Sequence, residues 1–217
     1  MSTTKAAAAL GFLLAALSSL GGCFGGPPET RYFSLRGDNL SRRADATTAP
    51  AGAPVVLVDR FTIDEAYADE RLAYRKGGSN ELGYDPYSRW AGAPAAQVED
   101  AVRDLLLGSG VFAAVRQGQP IGDGRSTYDL VVTGRVKRLE EVDVSDDEWV
   151  GALDVELYLL DGKTRAVLQW VELRDNEKAS SRNPREVVAA LSRLVAKAVD
   201  ELVRVSKPVL AARKPSR

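Results

Sequence analysis

Two one-sided helical stripes, set in a chain otherwise patterned as strands, constrain the fold most. Val187, Val188, Leu191, Leu194, Val195, Ala198, Val199, Leu202 and Val205 recur at helical spacing, as do Val98, Ala101, Val102, Leu105 and Leu106, so each helix has one face to bury and one to wet. Pro94 pre-sets the first turn of the earlier helix, and Gly108-Ser109-Gly110 supplies the left-handed conformers that end it. The later helix opens at Asn183-Pro184-Arg185-Glu186, a cap residue with an acid three positions on, and Lys207-Pro208 is expected to stop it. Leu153, Val155, Leu157 and Leu159 alternate with Asp154, Glu156 and Tyr158, which predicts a strand with one wetted face; it turns at Asp161-Gly162 and returns over residues 165–173. Val55-Val56-Leu57-Val58 reads as a strand buried on both faces. Residues 129–139 read as a longer strand with a bulge at Gly134, and residues 30–36 and 112–116 as short ones. Extended pieces at 64–75 and 80–84 form a hairpin about Gly77-Gly78. The expected class is α+β: a two-layer sandwich with a twisted, mostly antiparallel or mixed sheet and both helices on one face. Residues 37–54, rich in Ala, Thr and Pro, are expected to be a mobile loop, with Tyr32 and Phe33 pinned into the domain before it.

The N-terminus has a separate logic. Lys5 precedes a run of Ala, Leu, Phe and Gly from position 6 to 20, too short for a comfortable membrane span and of signal-peptide form. Leu20-Gly21-Gly22-Cys23 has the form of a lipobox. Small residues let the backbone enter a peptidase cleft, and the Cys23 thiol takes diacylglycerol before cleavage frees its amine for an N-acyl chain. Two or three chains, at ~0.8 kcal/mol per buried CH₂, make the membrane anchor stable. The alternative is an uncleaved anchor helix with Cys23 a free thiol. Residues 24–29 form a short tether of about 20 Å when extended, at ~3.3–3.6 Å per residue. The expected organisation is therefore a signal peptide (1–22), a lipidated cysteine and tether (23–29), one domain (30–206) and a basic tail (207–217).

Composition narrows the chemistry. The chain has no histidine and one cysteine among 217 residues, which removes the commonest general base and metal ligand, Ser-His and Cys-His nucleophiles, internal disulfides and thiolate zinc sites. Net charge is −1 with no basic stripe, so no nucleic-acid partner is expected. No catalytic residue, metal site or cofactor is expected, and the chain is not read as an enzyme. Asp64, Glu65, Asp69 and Glu70 suit solvation better than acid/base work. Asp143, Asp146, Asp147 and Glu148 lack the glycine-centred spacing of a calcium loop. Lys207, Arg213, Lys214 and Arg217 suit a frayed end better than a headgroup site. Tyr67, Tyr74, Arg75, Tyr84, Tyr87, Arg89 and Trp90 crowd one segment. Tyr, Trp and Arg are the types that dominate interface hot spots, which makes Tyr74, Arg75, Tyr84, Tyr87, Arg89 and Trp90 candidate partner-binding residues. The competing reading pairs the aromatics across a hairpin and the arginines with carboxylates.

A series of short runs has a family look: Arg31-Tyr32-Phe33-Ser34-Leu35, Val55-Val56-Leu57-Val58, Arg71-Leu72-Ala73-Tyr74-Arg75, Tyr84 with Tyr87-Ser88-Arg89-Trp90, and Leu106-Leu107-Gly108-Ser109-Gly110-Val111-Phe112. In order and spacing they resemble the ABC-type transport auxiliary lipoproteins, the group that includes the paraquat-inducible protein C lipoproteins. The resemblance implies a non-enzymatic accessory beside an ABC ATPase, a permease and an MCE-domain protein that move lipids or other hydrophobic molecules across the envelope, with a homo-oligomer as a further implication. Phe24 after the cysteine implies, by the sorting rule for bacterial lipoproteins, the periplasmic face of the outer membrane rather than the inner membrane. The alternative is an outer-membrane regulator of a periplasmic enzyme such as a peptidoglycan synthase, although such a regulator needs a long linker after its lipid. The anchoring reading predicts that Cys23→Ser leaves the leader uncleaved, seen as a heavier band and an intact N-terminus by mass spectrometry; normal processing of that variant contradicts it.

Overall fold

The computed structural model describes residues 28–35, 49–118 and 128–212. In chain order its elements are β1 (Arg31–Phe33), β2 (Val55–Val58), β3 (Thr62–Ile63), a single 3-10 turn (Glu65–Tyr67), β4 (Arg71–Lys76), β5 (Gly83–Trp90), α1 (Pro94–Gly108), β6 (Ala114–Gln117), β7 (Leu130–Ser145), β8 (Glu148–Asp161), β9 (Val167–Lys178) and α2 (Pro184–Ala212). The loop expected at 37–54 and the tail beyond Ala212 fall largely outside the described residues, as do Leu20, Gly21, Gly22 and Cys23.

β7 is the spine of one mixed sheet. Along one edge it runs antiparallel to β8, from Leu130↔Asp161 to Ser145↔Glu148, and β8 in turn pairs antiparallel with β9. Along its other edge β7 takes three short parallel partners in succession: β2 near Val131, β3 at Arg135 and Val136, and β4 near Val142. Beyond these, β2 carries β6, and β4 carries β5 and then β1. The sheet stays open and does not close as a barrel.

Both helices lie on one face, as expected of the α+β sandwich. Val98, Val102, Leu105, Leu191, Leu194 and Leu202 from the helices share a core with Val56, Val132, Leu153, Val155 and Leu157 from the sheet. Gly151 on β8 lets α2 approach closely: a Cβ there would stand 3.1 Å from the Val187 carbonyl oxygen. On the opposite, open face Leu57, Val131 and Leu160 form a small second cluster flanked by Tyr128 and Tyr158.

The bulge of β7 lies elsewhere than expected. Val136 and Leu139 are both in the core although three residues apart, which an unbroken alternation forbids. The register slips between Val136 and Arg138, and the extra residue sets Lys137 and Arg138 together on the open face. There Lys137 reaches Glu156 at 3.0 Å and Arg138 reaches Glu140 at 2.7 Å. Gly134 is needed for a different reason. A Cβ on it would stand 2.3 Å from the Phe61 ring and 2.8 Å from the Glu156 carbonyl oxygen.

Four further expectations are corrected. α2 runs through Pro208 to Ala212 rather than stopping at Lys207-Pro208; the proline forfeits one amide bond near the helix end, while Leu210 still packs against the core. Tyr32 is 67% exposed, and Leu35, wholly buried, pins this segment instead. β7 continues well past Leu139, so Asp146 and Asp147 form the turn of the longest hairpin. Asp154, expected to be wetted, is buried beneath Arg174 at 2.7 Å and Lys137 at 3.5 Å.

Gly134→Ala is predicted to destabilise the fold by about 1–3 kcal/mol through overpacking, read from denaturant midpoints. Adding Phe61→Leu should recover part of that loss, the contact with β8 backbone accounting for the rest.

Candidate functional site

The six candidate residues separate when the hairpin of β4 and β5 is folded. Trp90 is 3% exposed and sits in the core, so it offers nothing to a partner. Tyr74 lies over Gly83 on the neighbouring strand, where a Cβ would stand 2.5 Å from its ring. Arg75 bonds Glu140 at 3.1 Å on the open face. Glu140 is almost fully buried and also accepts from the Tyr67 hydroxyl at 2.9 Å and from Arg138. Burial, then the Glu140 charge, raises the Tyr67 phenol above its ordinary value, and the hydrogen bond to Glu140 raises Arg75. Tyr84 donates to the Ala66 carbonyl at 2.8 Å, and the Arg71 guanidinium lies 5.0 Å from its ring centre. Arg71 in turn grips Asp69 with two side-chain bonds, lowering that carboxyl to about 2. Four of the six are therefore engaged within the domain.

Tyr87 and Arg89 are different. Tyr87 is 39% exposed, and Arg89 forms no hydrogen bond or salt bridge among the described residues, reaching only the Asp69 charge. Arg89 is paired in register with Tyr32 on β1, so two exposed tyrosines flank the half-buried Arg89 at the β1 edge of the open face. Tyr32 had been expected in the core, so its part in this surface was not legible locally.

A second exposed corner went unread in the sequence. On β9, Trp170 is 55% exposed opposite Tyr158, and Val167, also exposed, stands opposite Leu160. Among the described residues β9 pairs with β8 alone, so its outer edge keeps free backbone donors and acceptors there. The available signal was a tryptophan on the return strand of a hairpin whose first strand already covered the core.

On the helix face, Leu72, Tyr74, Asp85, Glu141, Asp143 and Trp149 line a cavity of about 260 Å³. Arg182 lies over the Trp149 ring at 5.2 Å. Trp149 Nε1 and one Asp143 oxygen are buried there without a hydrogen-bond partner among the described residues. Burial, the hydrogen bond to Asp143 and the charges of Asp143 and Asp85 push the Glu141 carboxyl up to about 8, against the pull of Arg182. The cavity thus stores a proton. It contains no base-activated nucleophile, and among the described residues no group of three or more His, Cys, Asp or Glu is placed to hold a metal ion. The other acidic sets are largely engaged: Asp64 with Arg135 and Glu148 with Lys178.

The family model of the ABC-type transport auxiliary lipoprotein component matches residues 39–203, and the chain belongs to that family. It is a family of accessory lipoproteins rather than an enzyme class. Among solved structures, a Xanthomonas campestris protein of family model DUF330 is similar with a TM-score of 0.58 at 20% identity, over 74% of this chain and 90% of that one. An uncharacterized protein gives 0.62 at 13% identity, over 82% of this chain and 99% of the other. These likenesses show the fold alone. A PelC dodecamer structure from Paraburkholderia phytofirmans gives a lower TM-score of 0.46 at 20% identity, over 72% of this chain and 94% of that one. No curated protein matches this chain. Among the described residues, no helix is long and apolar enough to cross a membrane.

The cavity yields a pH prediction. Glu141 ordinarily titrates near 4.5 and in the fold near 8, so between these values the folded state holds one proton more than the unfolded chain. Its contribution to stability is complete below 4.5, falls as pH rises through that window and levels off above about 8. Asp69, held at about 2, titrates below the window. Denaturant midpoints for the native chain should fall between about pH 5 and about pH 9, and Glu141→Gln should flatten that slope; an unchanged slope in the variant contradicts the assignment.

Proposed function

We propose that this protein is the membrane-anchored accessory of an ABC transport system of MCE type, moving lipids or other hydrophobic molecules across the envelope, and that it works by docking the MCE component. In this reading Cys23 carries diacylglycerol and an N-acyl chain, and the domain hangs from the periplasmic face of the outer membrane. The family supplies the transport association. The exposed corner at Trp170 and Val167 on the unpaired edge of β9 is the observation that carries docking. A half-exposed tryptophan beside a β-branched residue suits a hot-spot anchor, and the free edge offers backbone bonds to an added strand.

Docking needs no chemistry from the accessory, which agrees with a chain devoid of histidine. Trp170→Ala with Val167→Thr should reduce co-purification of the MCE component at least tenfold without changing the thermal midpoint by more than about 3 °C. Undiminished co-purification removes β9 as the docking site. Recovery of a peptidoglycan synthase in place of the MCE component favours the regulator reading.

A further inference from the structure

We infer that the β1 edge of the sheet, with Tyr32, Tyr87 and Arg89 on its open side and Arg31 on the other side of the same strand, lies against the lipid headgroups of the membrane that holds the anchor. The inference rests on the reading of Cys23 as the point of attachment. It adds an orientation: one corner of the domain faces the bilayer, while β9 is left for a protein partner.

Tether length comes first. From Phe24 to Thr30 the chain reaches about 25 Å at full extension, at ~3.3–3.6 Å per residue, and it ends at Arg31, the first residue of β1. The strand on the far end is not loosely attached. Leu35 is wholly buried, and its carbonyl accepts a hydrogen bond from the buried Ser192 of α2 at 3.1 Å. β1 is thus a fixed point of the domain that cannot leave the neighbourhood of the bilayer.

The residues at that point have the character of a membrane–water interface. Tyr32 and Tyr87 are both exposed, and Arg89, paired in register with Tyr32, has no salt bridge among the described residues. Arg31 is exposed on the other side of the same edge strand, its guanidinium 6.0 Å from the Phe33 ring centre. Tyrosine rings lodge at headgroup level because one end is apolar and the other polar. Unpaired guanidinium groups are attracted to anionic lipid phosphates. Trp170, the other large exposed aromatic, sits on β9 at the opposite end of the strand order and is not drawn to the surface by the tether.

The single cysteine permits a test that does not depend on biological lipidation. Residues 23–217, which contain all the described structure, are coupled through the Cys23 thiol to a maleimide phospholipid in phosphatidylethanolamine–phosphatidylglycerol vesicles. Hydroxyl-radical footprinting then compares the coupled and uncoupled chain. Coupling should lower oxidation of Tyr32 and Tyr87 at least threefold and leave Trp170 within about 20% of its uncoupled value. Arg31→Glu with Arg89→Glu, one site exposed and the other half-buried, should restore most of the Tyr32 and Tyr87 oxidation on the same vesicles. Unchanged tyrosine oxidation on coupling overturns the inference, as does protection of Trp170 in their place. Whether the cell lipidates Cys23 is read separately, from the mass of the mature N-terminus, so the two failures are distinguishable.

Discussion

One extra residue in β7 holds the rest of the architecture in phase. Without the slip at Lys137, a strand that buries Leu130, Val132 and Val136 under the helices would turn Leu139 toward water and Glu140 toward α2. The bulge reverses the parity, so Leu130, Val132, Val136 and Leu139 all face the helix layer and Glu140 keeps to the open face. It also concentrates charge. Lys137 and Arg138, adjacent in sequence and on the same face, are neutralised by Asp154, Glu156, Glu172 and Glu140 on three strands. The parallel attachment of β2, β3 and β4 along one edge of β7 depends on that continuity, since each short strand finds only two or three partners there.

Signals that reside in neighbouring residues account for much of the fold, though not for the end of α2, which runs on through Pro208. Both helices follow from periodicity and the hairpin of β4 and β5 from its glycines, because those signals reside in neighbouring residues. The second half of β7 did not announce itself. Glu140, Glu141 and Asp143 look like a solvated stretch, yet Glu140 is buried because Arg75, Tyr67 and Arg138 arrive from other parts of the chain. The same limit affected the candidate site. A run of Tyr, Arg and Trp has the composition of an interface, and composition cannot distinguish Trp90, buried in the core, from Tyr87, which is exposed. Gly134 shows the converse: the glycine marks a special position, but what demands it is the Phe61 ring rather than the expected bulge.

The buried acid at Glu141 belongs to a different economy from the exposed corners. It faces the helix layer, with Asp143 and Asp85 beside it and Arg182 near the start of α2 as the opposing charge. Burial and the charges of Asp143 and Asp85 favour its neutral form. Its physical effect is on the packing of the end of the sheet where β7 turns into β8, next to a tryptophan indole that lacks a partner.

An accessory that docks its partner must transmit position, and the fold contains an unbroken route for doing so. The N-terminal segment is locked through Leu35 to Ser192 on α2. α2 rests closely on β8 at Gly151, and Arg193 and Lys197 on its surface bond Glu177 and Asp175 of β9. Every link joins packed or hydrogen-bonded regular structure, with no hinge glycine between them. With the anchor at Cys23 and a partner on β9, the short tether and this stiff path would hold the partner near a set height from the bilayer, which is the physical service a docking lipoprotein can provide without chemistry of its own.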